Sequence, residues 1–600
     1  MTATPPRWDL SNVYPGLEAP EFKTDLARLT SQIGGLEALF ARSLSQATTQ
    51  TPIAELAGLA GEAIQRLNEI LELASTMGPY IFSFVATDSH NTTARRQLSE
   101  FEQIGARLDV IQTQLQAWVG GLAPLLDQII AADPLAQAHA FTLKEAAEQS
   151  RYLMSQAEEV LAAEMNLSGF NAWSRLQGTV TSQLSVDFEM EGQVQKLPLP
   201  AIINLQAHQD EDVRRRAYEA EIQACESVRE PLAACMNGVK GTVNTLDQRR
   251  GRQDALHSAI DTARIDRPTL EAMLDAMQAS FPTFRKYFLA KARRLGKEQL
   301  AWWDLFAPVG QSKVTYTFEE GRDFILENFA SFTPDLAAFA KRAFEHHWID
   351  AEQRQGKRGG AFCMALPGVK ESRLLCNFDG TLGQVSTIAH ELGHAYHNHC
   401  AFQANKTPLQ ASTPMTLAET ASIMCETIVM QAVLRQTSDP QSVLAILETM
   451  LINDAQVIVD IYSRYLFEKE VFERRPQAEL SADDFCDIME RAQKATYGDG
   501  LDARYLNRYM WAWKPHYYRT DISFYNFPYA FGLLFGVGLY AIYQQRGAEF
   551  VPDYRNLLAS TGEGTAAELA ARFGIDIRQS AFWQASLEVI AQRIERYCQI

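Results

Sequence analysis

The sequence predicts a mainly α-helical protein with a small β-sheet beside a metal-binding helix. Three observations carry this. Apolar residues recur at spacings of three and four along most of the chain, the mark of amphipathic helices. Strand-like patterning is confined to two places, residues 184–199 and 300–380. The stretch His390-Glu391-Leu392-Gly393-His394 reads HExxH, a helical metal-binding pattern. At 600 residues the chain exceeds one hydrophobic core. It is read in two parts, residues 1–190 and 191–600.

Residues 1 to about 20 are Pro-rich and extended. Helical runs follow at 21–45, 53–77, 93–119 and 143–165, rich in Ala, Leu, Gln and Glu. Residues 184–199 alternate and turn at Glu191-Gly192, a hairpin that marks the junction between the two parts. Helices resume from about 200 to 298. Short strands are expected at 314–318, 360–365 and 372–378, leading into the motif helix. Gly359 and Gly360 open the second of these; glycine there lets another backbone approach, and a peptide can pair with such a strand edge. A polar connection, 398–413, leads to a helix with Thr413 as N-cap and Pro414 at its first position. Helices continue from 440 to 497, and Gly498-Asp499-Gly500 breaks them in what is expected to be a hinge or a flexible loop.

Composition narrows the function classes. The chain is 46% hydrophobic and 21% charged, with net charge −18 and pI about 5.2. No basic patch favours nucleic acid or an anionic membrane as a partner. The start lacks the basic and apolar regions of a signal peptide, and no 18 consecutive apolar residues occur. The longest apolar-aromatic run, 524–540, is broken by Asn526, Pro528 and Gly and reads as a buried segment. Eight scattered cysteines without a CxxC pair read as free thiols of a reducing cytoplasm. Cys400 and Cys425, near the motif, are expected to pack rather than ligate. No feature sets an oligomeric state.

On a helix, His390 and His394 stand one turn apart on one face and can share a metal ion. Val385, Ile388, Ala389, Leu392 and Tyr396 form an apolar stripe on the opposite face. Glu391, on the flank, can reach a metal-bound water without binding the metal. With 11 His in the chain, about 0.01 such motifs arise by chance. A catalytic zinc takes three protein ligands, so one comes from elsewhere. Glu419 and Glu426, on the polar face of the next helix, are both candidates. His397 lies about 10 Å along the same helix from His390 at 1.5 Å per residue, too far to share the ion, and takes a supporting or surface role; His399 points elsewhere.

These blocks together resemble the thimet-oligopeptidase superfamily of zinc metallopeptidases, and within it oligoendopeptidase F. The likeness rests on Trp8-Asp-Leu-Ser-Asn-Val-Tyr-Pro15, Arg358-Gly-Gly-Ala-Phe-Cys363, Ala389-His-Glu-Leu-Gly-His-Ala-Tyr-His397, and Lys514-Pro-His-Tyr-Tyr518 with Phe524-Tyr-Asn-Phe-Pro-Tyr-Ala530. The resemblance implies an N-terminal helical oligopeptidase domain over 1–190 and a catalytic domain over 191–600, forming two helical halves around a deep channel. It implies one Zn²⁺ per chain, with Glu419 as third ligand and Glu426 orienting a ligand histidine. Glu391 is then the base, and His516 with Tyr529 or Tyr525 holds the tetrahedral intermediate. It also implies endopeptidase action on short unstructured peptides. The rival readings are a zinc carboxypeptidase or dipeptidase on the same scaffold, and a catalytically dead helical peptide-binding protein.

Overall fold

The computed structural model describes residues 4–190, 192–310, 315–519 and 521–600. The protein is 72% helical, with one two-stranded and one three-stranded sheet among the described residues, as the helical periodicity requires. Two compact units are each assembled from three stretches of chain: 1–153, 314–433 and 542–573 in the first, and 154–313, 434–541 and 574–600 in the second. Compact units and chain order therefore divide differently. The first spatial crossing comes at Leu153–Met154, and the 184–199 hairpin lies inside the second unit.

The first unit opens with three long helices, Pro20–Arg42, Ile53–Thr87 and Thr92–Gly121. They pack around Phe22, Leu36, Ile70, Met77 and Ile111, all fully buried or nearly so. The three-stranded sheet follows. Its central strand Glu371–Leu375 pairs parallel with Ile349–Asp350 and antiparallel with the edge strand Phe362–Leu366. The central strand is buried along its whole length, charges included. Arg373 donates to Glu371 Oε2 (3.0 Å), to Asp9 O (2.8 Å) and to Asn12 Oδ1 (2.6 Å). The Trp8–Pro15 segment, which turns at Ser11–Val13 and is not extended throughout, is thereby pinned to the sheet, which gives that N-terminal block a structural meaning.

Several elements depart from the sequence reading, each for a local reason. The run 143–165 is two helices, Ala140–Ser150 and Gln156–Ser168. A reciprocal capping box between Ser155 and Glu158 starts the second. Val314 lies outside the described residues. Of the strand expected at 314–318, Thr315 makes only an isolated bridge to Thr381, and Phe318 opens the helix Phe318–Phe332, capped by a Thr317/Glu320 box. The Ile349–Asp350 strand was not anticipated; two residues show no periodicity. The edge strand begins at Phe362, two residues after Gly360.

The second unit holds the hairpin, Ser185–Met190 against Gln193–Pro198, with Gly192 at φ +77° beside the expected turn. Its helices include Arg267–Arg294, packed along Ser580–Gln599, and Pro440–Ala455. Ion pairs are buried between them: Lys240–Glu468 and Lys291–Glu448, both 2.6 Å, and Arg593–Asp454 at 3.0 Å. The Gly498–Gly500 break is a packed corner, not a free loop. Gly498 sits at φ +55°, and a Cβ on Gly500 would lie 2.8 Å from the Phe288 ring.

Among the described residues, four helical stretches, Ile53–Thr87, Met415–Gln436, Pro440–Arg474 and Phe527–Ala559, reach a mean hydropathy of 1.2 to 1.5 over 18 residues, long and apolar enough to cross a membrane. Scattered polar residues hid them from the consecutive-run criterion. From 44% to 78% of each window is buried inside the protein, as in core helices of a large domain.

Candidate active site

The motif helix, Leu382–Gln403, follows directly from the central strand. Asp379 accepts from Thr381 N (2.9 Å) and Oγ1 (2.6 Å), and Thr381 caps the helix by accepting from Gln384 N. Gly380 makes the turn at φ +84°, where glycine is favoured. Val385, Ile388, Ala389, Leu392 and Tyr396 are all at most 2% exposed, so the apolar stripe packs as expected. The opposite face carries His390, Glu391 and His394.

The next helix approaches across Gly393. A Cβ there would lie 2.5 Å from Ala421 O and 2.6 Å from Ser422 Cα, so only glycine lets the two backbones meet. That helix begins at Met415, with Pro414 rather than Thr413 at the N-cap position. It breaks at Glu419 (φ −85°, ψ 1°) and resumes as Thr420–Gln436. Glu419 thus sits at the kink. Ser422 Oγ donates to Glu419 Oε2 (2.6 Å) and to its backbone carbonyl (3.0 Å).

The three chemical groups converge. His390 Nε2 lies 3.2 Å and His394 Nε2 3.5 Å from the same oxygen, Glu419 Oε2. One ligand atom from each residue lies within 4.8 Å of the others, and among the described residues no other group of three His, Cys, Asp or Glu does this. The second ring nitrogen of His390, Nδ1, faces Glu426 Oε2 at 3.1 Å. A carboxylate there accepts an N–H and leaves Nε2 free to face Glu419. The two glutamates named from the sequence therefore touch different nitrogens of one imidazole.

Electrostatics follow from burial against these contacts. Burial opposes charge on His390, but hydrogen bonds to Glu419 and Glu426 outweigh it and hold its pKa well above the ordinary value. Burial likewise opposes charge on Glu419, yet His390, His394 and Ser422 bring it down to about 2. Burial lowers His394 to about 4, leaving a neutral imidazole. Glu391 is 5% exposed. Burial raises it to about 7, with His390 opposing and Glu419 and Glu426 adding. Its Oε2 has no hydrogen-bond partner.

Glu391 and the donor group open on a cavity of about 400 Å³. Phe362, Cys363 and Ala365 of the edge strand form one wall, and His397, Asn398 and Thr413 another. His397 lies outside the donor group; its Nε2 contacts Thr561 Oγ1 at 2.9 Å. His399 packs against Phe339 with its ring tilted by 34°, ring centres 4.7 Å apart. Cys400 and Cys425 are buried and packed, outside the donor group. Gly360 takes φ +80° just before the edge strand, and a Cβ on Gly359 would meet nothing within 4 Å.

His516, Tyr525 and Tyr529 belong to the second unit and gather with one another. His516 stacks on Tyr525, ring centres 4.9 Å apart and planes at 16°. The Tyr525 and Tyr529 hydroxyls are 2.9 Å apart. Burial, with Arg464, Lys514 and Arg519 nearby, lowers His516 to about 4. Its ring is neutral, and Nδ1 is buried without a partner.

Comparison with known proteins decides the lineage. The family model of peptidase family M3 matches residues 204–589, and that of oligopeptidase F matches 124–185. The chain belongs to peptidase family M3. It is 24% identical to an oligoendopeptidase F homolog of Lactococcus lactis subsp. lactis over 401 residues, 65% of this chain and 64% of that relative. It is 22% identical to the group B oligopeptidase PepB of Streptococcus agalactiae over 98% of this chain and 96% of the relative. A solved chain from Chlamydophila abortus described as a peptidase superposes with TM-score 0.84 at 21% identity, covering 99% of this chain and 98% of that one.

Two features of this M3 chain's site escaped the sequence reading. Ser422 stands three residues after Glu419, a spacing from which a hydroxyl can bond back to the carbonyl of the preceding turn, and that spacing was its signal. Cys363 faces the cavity, and its thiol is pushed well up by burial and by Glu391. Its position on the edge strand is the one clue the sequence offered.

Proposed function

We propose that this chain is a zinc-dependent oligoendopeptidase that hydrolyses internal bonds of short, unstructured peptides. The observation that carries the reading is the convergence of His390, His394 and Glu419 beside the unpartnered carboxyl oxygen of Glu391. A tetrahedral ion with bonds of about 2.0–2.1 Å sets its ligand atoms about 3.3–3.4 Å apart. The 3.2 and 3.5 Å separations fit that spacing. Two imidazoles and a carboxylate are also the donor types of a hydrolytic zinc site.

When bound, zinc supplies a Lewis acid and lowers the pKa of water at its open position to about 7. Glu391 takes the proton of the attacking water and passes it to the leaving amine. Glu426 holds the His390 ring through Nδ1, and Ser422 holds Glu419. The edge strand Phe362–Leu366 is paired on one side only. In this reading a substrate adds to its open side in extended form, with Gly359 and Gly360 leaving room at its start. His516 with Tyr529 or Tyr525 donates to the developing oxyanion; each such donor typically lowers the barrier by about 2.7–4 kcal/mol.

Residues 1–190 are the N-terminal oligopeptidase domain in this reading, and 191–600 the catalytic domain. Short peptides are the partners, nucleic acid and membrane are not, and the protein works in the cytoplasm. The test pairs metal analysis with a quenched peptide blocked at both termini. One zinc per chain and cleavage abolished by o-phenanthroline are expected. Metal-free protein that still cleaves would end the proposal, and cleavage restricted to peptides with free ends would transfer the chain to the exopeptidase reading.

A further inference from the structure

The second unit contains a half-enclosed cavity of about 250 Å³ that the peptidase reading does not use. Phe288, Trp302, Phe306 and Ile452 give it an apolar and aromatic wall. Facing that wall are three charged side chains, Asp460, Arg464 and Lys514. Asp460 ends a single π-helical segment, Gln456–Asp460, between the helices Pro440–Ala455 and Ile461–Arg474. Such segments concentrate at functional sites.

The charges in this cavity are incompletely matched. Asp460 Oδ2 pairs with Arg464 Nη2. Asp460 Oδ1 and Arg464 Nε are buried without a hydrogen-bond partner, and both residues are 6% exposed. The ammonium of the part-exposed Lys514 makes no hydrogen bond or ion pair among the described residues; its Nζ lies 4.3 Å from the centre of the Trp513 ring. The nearby Glu221 does not answer it. Its two oxygens accept from Asn507 (2.6 Å), Trp513 (2.9 Å) and Gln206 (2.9 Å). Burial and the Arg464 charge lower Lys514 to about 8, so the ammonium persists at neutrality. At roughly 30 Å³ each, about eight waters would fill this volume, but one wall offers them no hydrogen bonds.

We propose that this cavity binds a small carboxylate with an apolar body, its carboxylate on Lys514 and its body against Trp302 and Phe288. Two sources share that chemistry: a simple organic acid and a free apolar α-amino acid.

Titration calorimetry on the full-length protein tests this with 3-phenylpropionate, L-phenylalanine and the uncharged 3-phenylpropionamide. Saturable binding of the carboxylates is expected, with the amide weaker by about tenfold or more. Lys514→Gln is expected to weaken the carboxylates to a similar degree, and Lys514→Arg to restore most of the loss. Phenylalanine binding more tightly than phenylpropionate identifies the amino acid as the source; the reverse order identifies the organic acid. Carboxylate binding unchanged in Lys514→Gln would show that Lys514 does not hold the ligand and overturn the proposal. An amide that binds equally well, or no saturable heat with any of the three, also overturns it. The amide comparison uses unmodified protein and holds even if Lys514→Gln fails to fold.

Discussion

Glu391 and Glu419 line one cavity with His390 but have opposite electrostatic fates. Glu391 is buried with one oxygen unpartnered and is raised to about 7. Glu419 is half-buried among two imidazoles and a hydroxyl and is lowered to about 2. One carboxyl is set up to exchange a proton and the other to remain an anion. Replacing Glu391 with Gln keeps the shape and removes the proposed base. Metal content should stay at the unmodified level while kcat falls by about 10²–10⁴-fold, read by mass spectrometry and peptide cleavage on one sample. Glu419→Ala should lose the metal. Glu426→Ala should keep it with affinity about 10–100-fold weaker, because Glu426 touches only the far nitrogen of His390. Reversal of those two metal-binding results would exchange the ligand between the glutamates.

The site depends on two helices meeting and on a strand behind them. Gly393→Ala would drive a methyl to 2.5 Å from Ala421 O. Backbone cannot yield as a flexible side chain does, so a loss of about 1–3 kcal/mol is expected. Because the same clash moves Glu419 away from His390, zinc affinity should fall together with the thermal midpoint. An alanine variant with unmodified zinc affinity would show that the approach is not needed. Arg373 ties the central strand to Asp9 and Asn12 and is 1% exposed. Arg373→Met leaves Glu371 with Asn12 and Arg342 only, and a loss near the lower end of about 3–5 kcal/mol is expected. Guanidinium melts followed by tryptophan fluorescence would measure it. The motif helix and its apolar stripe were legible because 3.6-residue periodicity is a local property. The kink at Glu419 was not, since its position is set by contacts across Gly393.

In the proposed zinc reading, ion binding couples the site to the stability of the unit that holds it. Donors from two helices must be brought together before they can share an ion, so the ion favours the folded state. At a free concentration of 1,000 times Kd this linkage is worth about 4 kcal/mol. Chelation should therefore lower the thermal midpoint as well as abolish cleavage, and zinc should restore both. A midpoint indifferent to chelator would mean that the donor group does not hold the ion tightly. Net charge of −18 bears on solubility and association rather than on this coupling.

Local chemistry was enough to read a mainly helical chain, the HExxH face with its packed reverse side, and a short list of acids for the third ligand. Helical spacing alone puts His390 above His394, and no distant residue is needed to say so. Three-dimensional packing settled the rest: that Glu419 meets both imidazoles while Glu426 meets the other side of one, that Trp8–Pro15 is tied to Arg373, and that a short strand at Ile349–Asp350 flanks the sheet. Those contacts join residues separated by tens to hundreds of positions. Their geometry comes from close approach, burial and backbone breaks, which leave only faint traces in the order of residues.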